Sequence, residues 1–186
     1  MTRQRLLSWA DVDRLVEHLV PQFFGHYDAL LMITRGGVIP GGLIADRLGI
    51  DTLHTAGVSF PADTHPNLSS PADHGLPESF ARWQAELGLS SMPLFHQFPP
   101  DELLRGRRIL VVNHVWNHGR AINVVAGRVQ AAAGQPELCV FHYKPSKSLF
   151  PDLKPDYYAA VTDEYIIYPW ETARPIIPYR PMTGWT

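Results

Sequence analysis

The sequence has little cysteine, little excess charge and no long apolar run, and each shortage excludes a class of protein. Its one cysteine, Cys139, cannot form an internal disulfide and lies in an apolar run, where an inert buried thiol is expected. Sixteen Lys and Arg against eighteen Asp and Glu give a net charge of −2, so bulk electrostatics favour neither nucleic acid nor a membrane as partner. No apolar run approaches the roughly 18 residues of a membrane span. We therefore expect a soluble, cytoplasmic protein.

Apolar residues are plentiful, whereas the prolines are unevenly distributed. Apolar side chains make up 45% of the chain and charged ones 18%, a composition that supports a sizeable core. The 186 residues predict a single domain over 1–186. The 17 prolines are concentrated between Pro61 and Pro100 and after Pro145. We therefore predict that 59–105 is a long lid or hood insertion and that 172–186 is a proline-rich tail.

A strand, a turn and a helix follow one another twice along the chain. An amphipathic helix comes first, with a capping-box pair at Ser8 and Asp11, and Pro21 forbids its continuation. Strands are predicted at 29–33, 52–58, 109–112, 138–143 and 165–168, with helices between Gly37 and Gly49 and over 122–133. This alternation predicts an α/β fold, with a mostly parallel central sheet flanked by helices.

Ligands of open parallel sheets bind beyond the carboxyl ends of the strands, so the residues that follow the strands are informative. After the first strand, Gly36 and Gly37 let backbone N–H groups approach an anion, and Arg35 adds donors suited to phosphate. The alternative is a tight turn with a solvated arginine. The second turn, 113–121, opens a helix whose first N–H groups favour phosphate, and the alternative there is simple capping by Asn117.

Taken together, these motifs resemble the type I phosphoribosyltransferases, and specifically their purine branch of hypoxanthine-guanine and xanthine-guanine enzymes. The resemblance covers most of the chain from Ser8 to Glu171 except the long middle stretch. Its segments are Ile33–Pro40 with Ala45–Gly49, Ile109–Ala121, His142–Pro145, and Pro155–Tyr158 leading to Tyr165–Glu171.

The resemblance implies a type I phosphoribosyltransferase fold, transfer of a phosphoribosyl group between phosphoribosyl diphosphate (PRPP) and a purine-type base, and a role for each matching residue. Arg35, Gly36 and Gly37 would form the pyrophosphate loop. Lys144 would meet the exocyclic oxygen of the purine, Tyr165 would stack on its ring and the backbone of Ile166 would read its edge. Without the resemblance, an exposed Lys144 and a core Tyr165 are the default interpretations. The PRPP and phosphate contacts of the second loop would come from Asn113, His118, Gly119, Arg120 and Ala121.

The second loop departs from the family's pattern at three acidic positions. Asn113 and His114 replace an acidic pair that binds the ribose hydroxyls or organises magnesium, and Asn117 replaces the aspartate that is the usual candidate for base work. A carboxamide cannot accept a proton at neutral pH, so His118 or His114 is the substitute beside Asn117 in the catalytic set. Mg²⁺ prefers carboxylate oxygens, so its binding is expected to be weakened. No other metal is expected, because His114 and His118 lie in a predicted turn and lack a third ligand.

Three functions therefore stay open at this stage. The first is a purine-type phosphoribosyltransferase, and the second is a catalytically impaired protein of the same fold that binds a nucleotide, base or phosphoribosyl ligand as a sensor or regulator. The third is a scaffold whose pocket is vestigial. For the first two we expect a small-molecule phosphoribosyl or nucleotide ligand, and for the chain as a whole a homodimer.

Overall fold

The computed structural model of the protein describes residues 4–60 and 93–172. Within these ranges the chain forms eight strands and three α-helices. The helices are α1 (Trp9–Leu19), α2 (Val38–Leu48) and α3 (Arg120–Ala131). The strands are β1 (Gln4–Leu6), β2 (Ala29–Ile33), β3 (Leu53–Ser59), β4 (Leu94–Gln97), β5 (Arg108–Trp116), β6 (Gln135–Tyr143), β7 (Tyr157–Val161) and β8 (Tyr165–Ile167).

Six of these strands form the central sheet, in the order β4-β3-β2-β5-β6-β7. All neighbours pair in parallel except β4, which runs antiparallel to β3. The predicted α/β fold with a mostly parallel sheet is thus confirmed. β1 and β8 pair in parallel as a separate two-stranded sheet.

The structure contains the local features that the sequence predicts for α1, β2 and α2. Ser8 and Asp11 form the capping box of α1, in which the Ser8 side chain accepts a hydrogen bond from the backbone of Asp11 and the Asp11 carboxylate accepts one from the backbone of Ser8. Every residue of β2 is buried, as a strand covered on both faces requires. Gly49 adopts a left-handed conformation at φ 64° and ends α2.

The sheet separates two apolar cores, one covered by two helices and the other by one. α1 and α2 pack on one face, where Leu19 and Ile44 meet alternate residues of the central strands. α3 packs on the other face through Ile122, Val125 and Val129. Cys139 is fully buried in the first core, and burial raises the pKa of its thiol, consistent with the expected inert role. No helix of the described ranges is long and apolar enough to cross a membrane.

The two ends of the central sheet differ in how they are closed. At the amino ends of β5 and β6, the Glu137 carboxylate accepts hydrogen bonds from Tyr27 (2.7 Å), Tyr157 (2.6 Å) and the guanidinium of Arg108. Burial alone would raise the pKa of Glu137, but these donors together lower it. The amino end is therefore tied together by side chains, whereas the carboxyl end carries the cavities described below.

Several boundaries differ from those predicted. β5 does not stop at Val112 but continues to Trp116, so the predicted break begins four residues later. The strand at Tyr165 pairs with β1 and not with the central sheet. β4 and a 3-10 helix, Asp101–Leu103, lie within the predicted insertion 59–105, and residues 61–92 of that insertion lie outside the described ranges. The tail beyond Thr172 also lies outside them.

Candidate functional site

Two adjoining cavities open at the carboxyl ends of β2 and β5. The larger has a volume of about 700 Å³ and the smaller about 280 Å³. Both are lined by Asn113 and Ala121, so they form one continuous surface. The larger cavity is lined by Ile33, Thr34, Arg35, Gly36, Val58, Asn113, His114, Ala121, Trp170 and Glu171, and the smaller by Phe60, Asn113, Val115, Asn117, His118, Gly119, Arg120, Ala121 and Ile122.

The topology explains why the cavities lie at this place. β2 leads into α2 on one face of the sheet, whereas its neighbour β5 leads into α3 on the other face. The chain therefore leaves the two adjacent strands in opposite directions, and a crevice opens between the turns.

The Arg35 turn is packed directly against β5. The peptide bond between Thr34 and Arg35 is cis, and Gly37 N–H donates to the carbonyl of Ile33 at 2.7 Å. A Cβ on Gly36 would collide with the ring of His114, and one on Gly37 would collide with the carbonyl of Val112. Glycine is thus required because the turn touches β5. The side chain of Arg35 is exposed on the wall of the larger cavity.

The second loop is a short turn between β5 and α3. Gly119 is the N-cap of α3, at φ 78°, and its carbonyl accepts a hydrogen bond from the Asn123 side chain at 2.9 Å. Asn117 does not cap the helix, so the simple capping interpretation is wrong. Its Oδ1 is buried, and no described residue donates a hydrogen bond to it. The free N–H groups in the first turn of α3 lie beside the smaller cavity, where the exposed His118 also lies.

Asn113 fixes which nitrogen of the neutral His114 ring carries the hydrogen. Its Oδ1 accepts the backbone N–H of His114 at 2.8 Å and contacts the ring Nδ1 at 2.8 Å. Because a backbone N–H can only donate, this atom is the amide oxygen, and Nδ1 must carry a hydrogen. The other nitrogen, Nε2, lies 3.8 Å from Oε1 of Glu171. Burial lowers the pKa of His114; Glu171 partly opposes this shift, and Lys144 adds to it.

Tyr168 connects the small sheet to the central one. Its hydroxyl donates to the carbonyl of His114 at 2.9 Å and therefore accepts from Nδ1 of His142 at 2.8 Å. Burial, together with the charges of Arg5, Lys144 and His114, lowers the pKa of His142 to about 4. The ring of Trp170 stacks on Tyr168, with centroids 4.6 Å apart. These contacts hold the segment that follows β8 against the end of β5.

The residues predicted to contact a base lie together but outside the two cavities. Lys144 is 5% exposed and Tyr165 54% exposed, so the default interpretations of an exposed lysine and a core tyrosine are both wrong. Nζ of Lys144 lies 6.0 Å from the centroid of the Tyr165 ring. Ile166, the residue after Tyr165, is buried. Burial lowers the pKa of Lys144, and Lys147 lowers it further.

The cavities also contain residues that the sequence prediction did not select. Trp170 and Glu171 line the larger cavity, and Phe60 lines the smaller one. Glu171 is the only carboxylate among the described residues of the larger cavity. The sequence does contain a signal for Glu171, because this residue ends one of the segments on which the resemblance rests. Its placement depends on a contact with β5 that no local pattern shows.

Magnesium, which the resemblance to phosphoribosyltransferases implies, would find few suitable donors among these residues. Asn113 Oδ1 already accepts two hydrogen bonds, and His114 offers a nitrogen rather than a hard oxygen. In residues 4–60 and 93–172 no group of three or more His, Cys, Asp or Glu side chains is placed to hold a metal ion. The donor set therefore does not fit a magnesium ion well.

No protein-family model matches the sequence, and no curated protein matches it significantly. Solved structures do match. The purine phosphoribosyltransferase from Pyrococcus horikoshii has a TM-score of 0.65 and 22% identity over 94% of this chain and 98% of that one. A hypothetical protein from Neisseria gonorrhoeae with bound ppGpp has a TM-score of 0.70 and 19% identity, with coverages of 92% and 91%. The xanthine-guanine-hypoxanthine phosphoribosyltransferase of Helicobacter pylori has a TM-score of 0.67 and 16% identity, with coverages of 91% and 94%.

These matches confirm the fold that the motifs predicted. The chain has the type I phosphoribosyltransferase fold, and its structure is similar to those of purine phosphoribosyltransferases.

Proposed function

We propose that the protein transfers a phosphoribosyl group between PRPP and a purine-type base. The observation that supports this most directly is the pair of adjoining cavities, with the Arg35 turn on one side and the first turn of α3 on the other. A diphosphate at Arg35 and a 5-phosphate at the N–H groups of α3 would span the shared surface at Asn113 and Ala121. A phosphate at a helix N-terminus is favoured by both free N–H groups and the helix dipole.

The reaction needs a leaving group, a nucleophile and a destination for one proton. The bond from ribose C1 to the diphosphate oxygen breaks, and the electron pair leaves with the diphosphate beside Arg35. A ring nitrogen of the base forms the new bond to C1 and releases its proton to solvent or to an imidazole. His118 lies in the smaller cavity with its ring exposed, and His114 lies in the larger one. Asn117 cannot take that proton, but its buried oxygen can accept a hydrogen bond from the ligand.

The base would bind at Lys144 and Tyr165. An ammonium complements a purine carbonyl oxygen, and an aromatic face provides a stacking platform worth about 1–3 kcal/mol per base. The burial of Lys144 strengthens such a contact, because water competes less for the ammonium. None of the described residues accepts a hydrogen bond from its Nζ, so a ligand carbonyl would supply the acceptor that the described part of the chain does not.

The variant Lys144→Ala tests this assignment. Because it removes the only group proposed to bind the exocyclic oxygen, we expect kcat/KM for an oxopurine base to fall by about tenfold or more, corresponding to about 1.4 kcal/mol. Pyrophosphate release from PRPP is measured with hypoxanthine, guanine, xanthine and adenine, with and without Mg²⁺. Lys154→Ala, at an exposed lysine elsewhere on the surface, is the matched control. Failure of the unaltered protein to release pyrophosphate with any base would contradict the proposal.

Ligand binding without turnover is the second candidate, and the substitutions at Asn113 and Asn117 favour it. Both carboxamides keep hydrogen-bonding capacity but cannot act as a general base. The structural similarity to the Neisseria protein with bound ppGpp makes that nucleotide a suitable probe. Calorimetry that shows ppGpp or nucleotide binding, with no pyrophosphate release in the assay above, would support this candidate over the transferase.

A further inference from the structure

The larger cavity has an imidazole where a carboxylate would be expected to organise a metal ion. His114 is the second residue of the loop segment in which the family has two acids. Its ring is held between the Gly36 turn and Glu171, on the wall of the cavity that contains Arg35. The residues that would hold magnesium therefore do not fit it, and the positive charge that a diphosphate requires must come from another source.

The geometry leaves one nitrogen of His114 free to take up a proton. Nδ1 already carries a hydrogen, since it donates to Asn113 Oδ1. Nε2 consequently has a lone pair in the neutral ring, and it lies 3.8 Å from the carboxylate of Glu171. A proton on Nε2 would create an ion pair with Glu171 and would offset the one negative charge among the described residues of the cavity.

We propose that this cavity binds a diphosphate group together with a proton on Nε2 of His114, in place of a metal ion. The inference rests on the proposed function, because both place a diphosphate beside Arg35. It goes further in assigning the charge compensation to a particular atom. His114 would then be a specificity-determining residue that favours metal-free diphosphate over its magnesium complex.

The charges that face His114 set the direction of the pH dependence. Arg35 lies on the same cavity wall, Lys144 comes from the end of β6, and Glu171 follows β8. Tyr168 packs against the His114 ring and donates to its backbone carbonyl, and His142, whose pKa is lowered to about 4, lies behind it as the hydrogen-bond partner of the Tyr168 hydroxyl. Burial lowers the pKa of His114 in the empty site, and an incoming anion raises it. Protons are therefore taken up on binding, and affinity rises as pH falls from the bound-state pKa towards the free-state pKa.

Calorimetry with inorganic pyrophosphate, in EDTA and in buffers of different ionisation enthalpy, measures this uptake. Between about pH 5.5 and 8.5 we expect the full chain to take up more protons than His114→Asn, by a difference that approaches about one proton. Across the same interval its affinity should change with pH more steeply than that of the variant, by up to about tenfold per pH unit. Pyrophosphate titrates in this range itself, but its contribution is common to both proteins. Asparagine is chosen because its amide N–H can replace the Nδ1–H bond to Asn113.

Two control variants assign the proton to its site. His26→Asn changes an exposed histidine that lines neither cavity and lies beside Arg108 at the amino end of β5, and His118→Asn changes the histidine of the smaller cavity. Both should retain the proton uptake of the full chain. Loss of uptake in His118→Asn, with normal uptake in His114→Asn, would overturn the assignment.

A measurement on the unaltered protein covers the case in which His114→Asn does not fold. NMR titration of the His114 ring should show its pKa rising when pyrophosphate is added in EDTA, and an unchanged pKa would overturn the inference. Pyrophosphate binding that occurs only with Mg²⁺ would also overturn it while leaving the proposed function intact. Absence of binding in both conditions would count against the inference and the proposed function together.

Discussion

Gly36 has no space for a side chain, because the His114 ring occupies the position of its Cβ. This contact links the Arg35 turn to the residue proposed to compensate a diphosphate. A substitution at this position displaces either the turn or the ring. The glycine thus allows the turn to pack directly against the His114 ring, in addition to leaving its backbone N–H unobstructed by a Cβ.

Gly36→Ala tests the contact, with Gly42→Ala as its control. We expect Gly36→Ala to weaken pyrophosphate binding by about tenfold or more and to lower the free energy of unfolding by about 1–3 kcal/mol, since overpacking displaces neighbours. A Cβ on Gly42 meets nothing within 4 Å, and the residue lies inside α2. Gly42→Ala should therefore raise stability by about 0.5–1 kcal/mol and leave binding unchanged. Calorimetry and urea unfolding measure both, and normal pyrophosphate binding by Gly36→Ala would contradict this account.

At the scale of elements, the small sheet is held to the central sheet by the hydroxyl of Tyr168. That group joins the His114 carbonyl at the end of β5 to the His142 ring on β6. The segment that it anchors carries Tyr165 on one side and Glu171 on the other. Tyr165, the proposed base platform, and the carboxylate of the larger cavity therefore depend on one buried hydroxyl.

Tyr168→Phe removes this connection without changing the ring. It leaves a buried N–H of His142 and a carbonyl of His114 without their partner, so we expect the free energy of unfolding to fall by about 1–3 kcal/mol. Affinity for a purine nucleotide should fall as well, because Tyr165 and Glu171 lose their support. Tyr143→Phe is the matched control, since no described residue forms a hydrogen bond with the Tyr143 hydroxyl. Equal stability of the two variants, measured in urea, would contradict the role of Tyr168.

The sequence predicts those elements whose signal is local. β2 and the core of β6 are apolar runs, and α1 has its capping box at Ser8. The polar residues Asn113 and His114 lead the sequence to predict a turn where the structure has the end of β5. Their polar groups bond to each other and face a cavity, which a strand tolerates at its carboxyl end. β1, β4 and β7 are three to five residues long and carry partly exposed side chains, so their periodicity is weak.

At the scale of the whole molecule, side chains join one end of the sheet, and the other end carries the two adjoining cavities. Arg108, Glu137 and the two tyrosines join the amino ends of the strands. At the carboxyl ends, α2 and α3 diverge to opposite faces and leave the crevice between β2 and β5. The motifs predicted which turns would meet there. They could not predict that Glu171 would join them, because that contact depends on how β8 docks.

The central claim is that the Arg35 turn, the first turn of α3 and the Lys144–Tyr165 pair form one binding site. A crystal structure with a purine nucleoside 5′-monophosphate and pyrophosphate bound tests it most directly. We expect the 5′-phosphate on the N–H groups of Gly119 to Ala121, the pyrophosphate beside Arg35, and the purine ring on Tyr165 with an exocyclic oxygen near Lys144. A nucleotide bound at another edge of the sheet, or with its base turned away from Tyr165, would contradict the account.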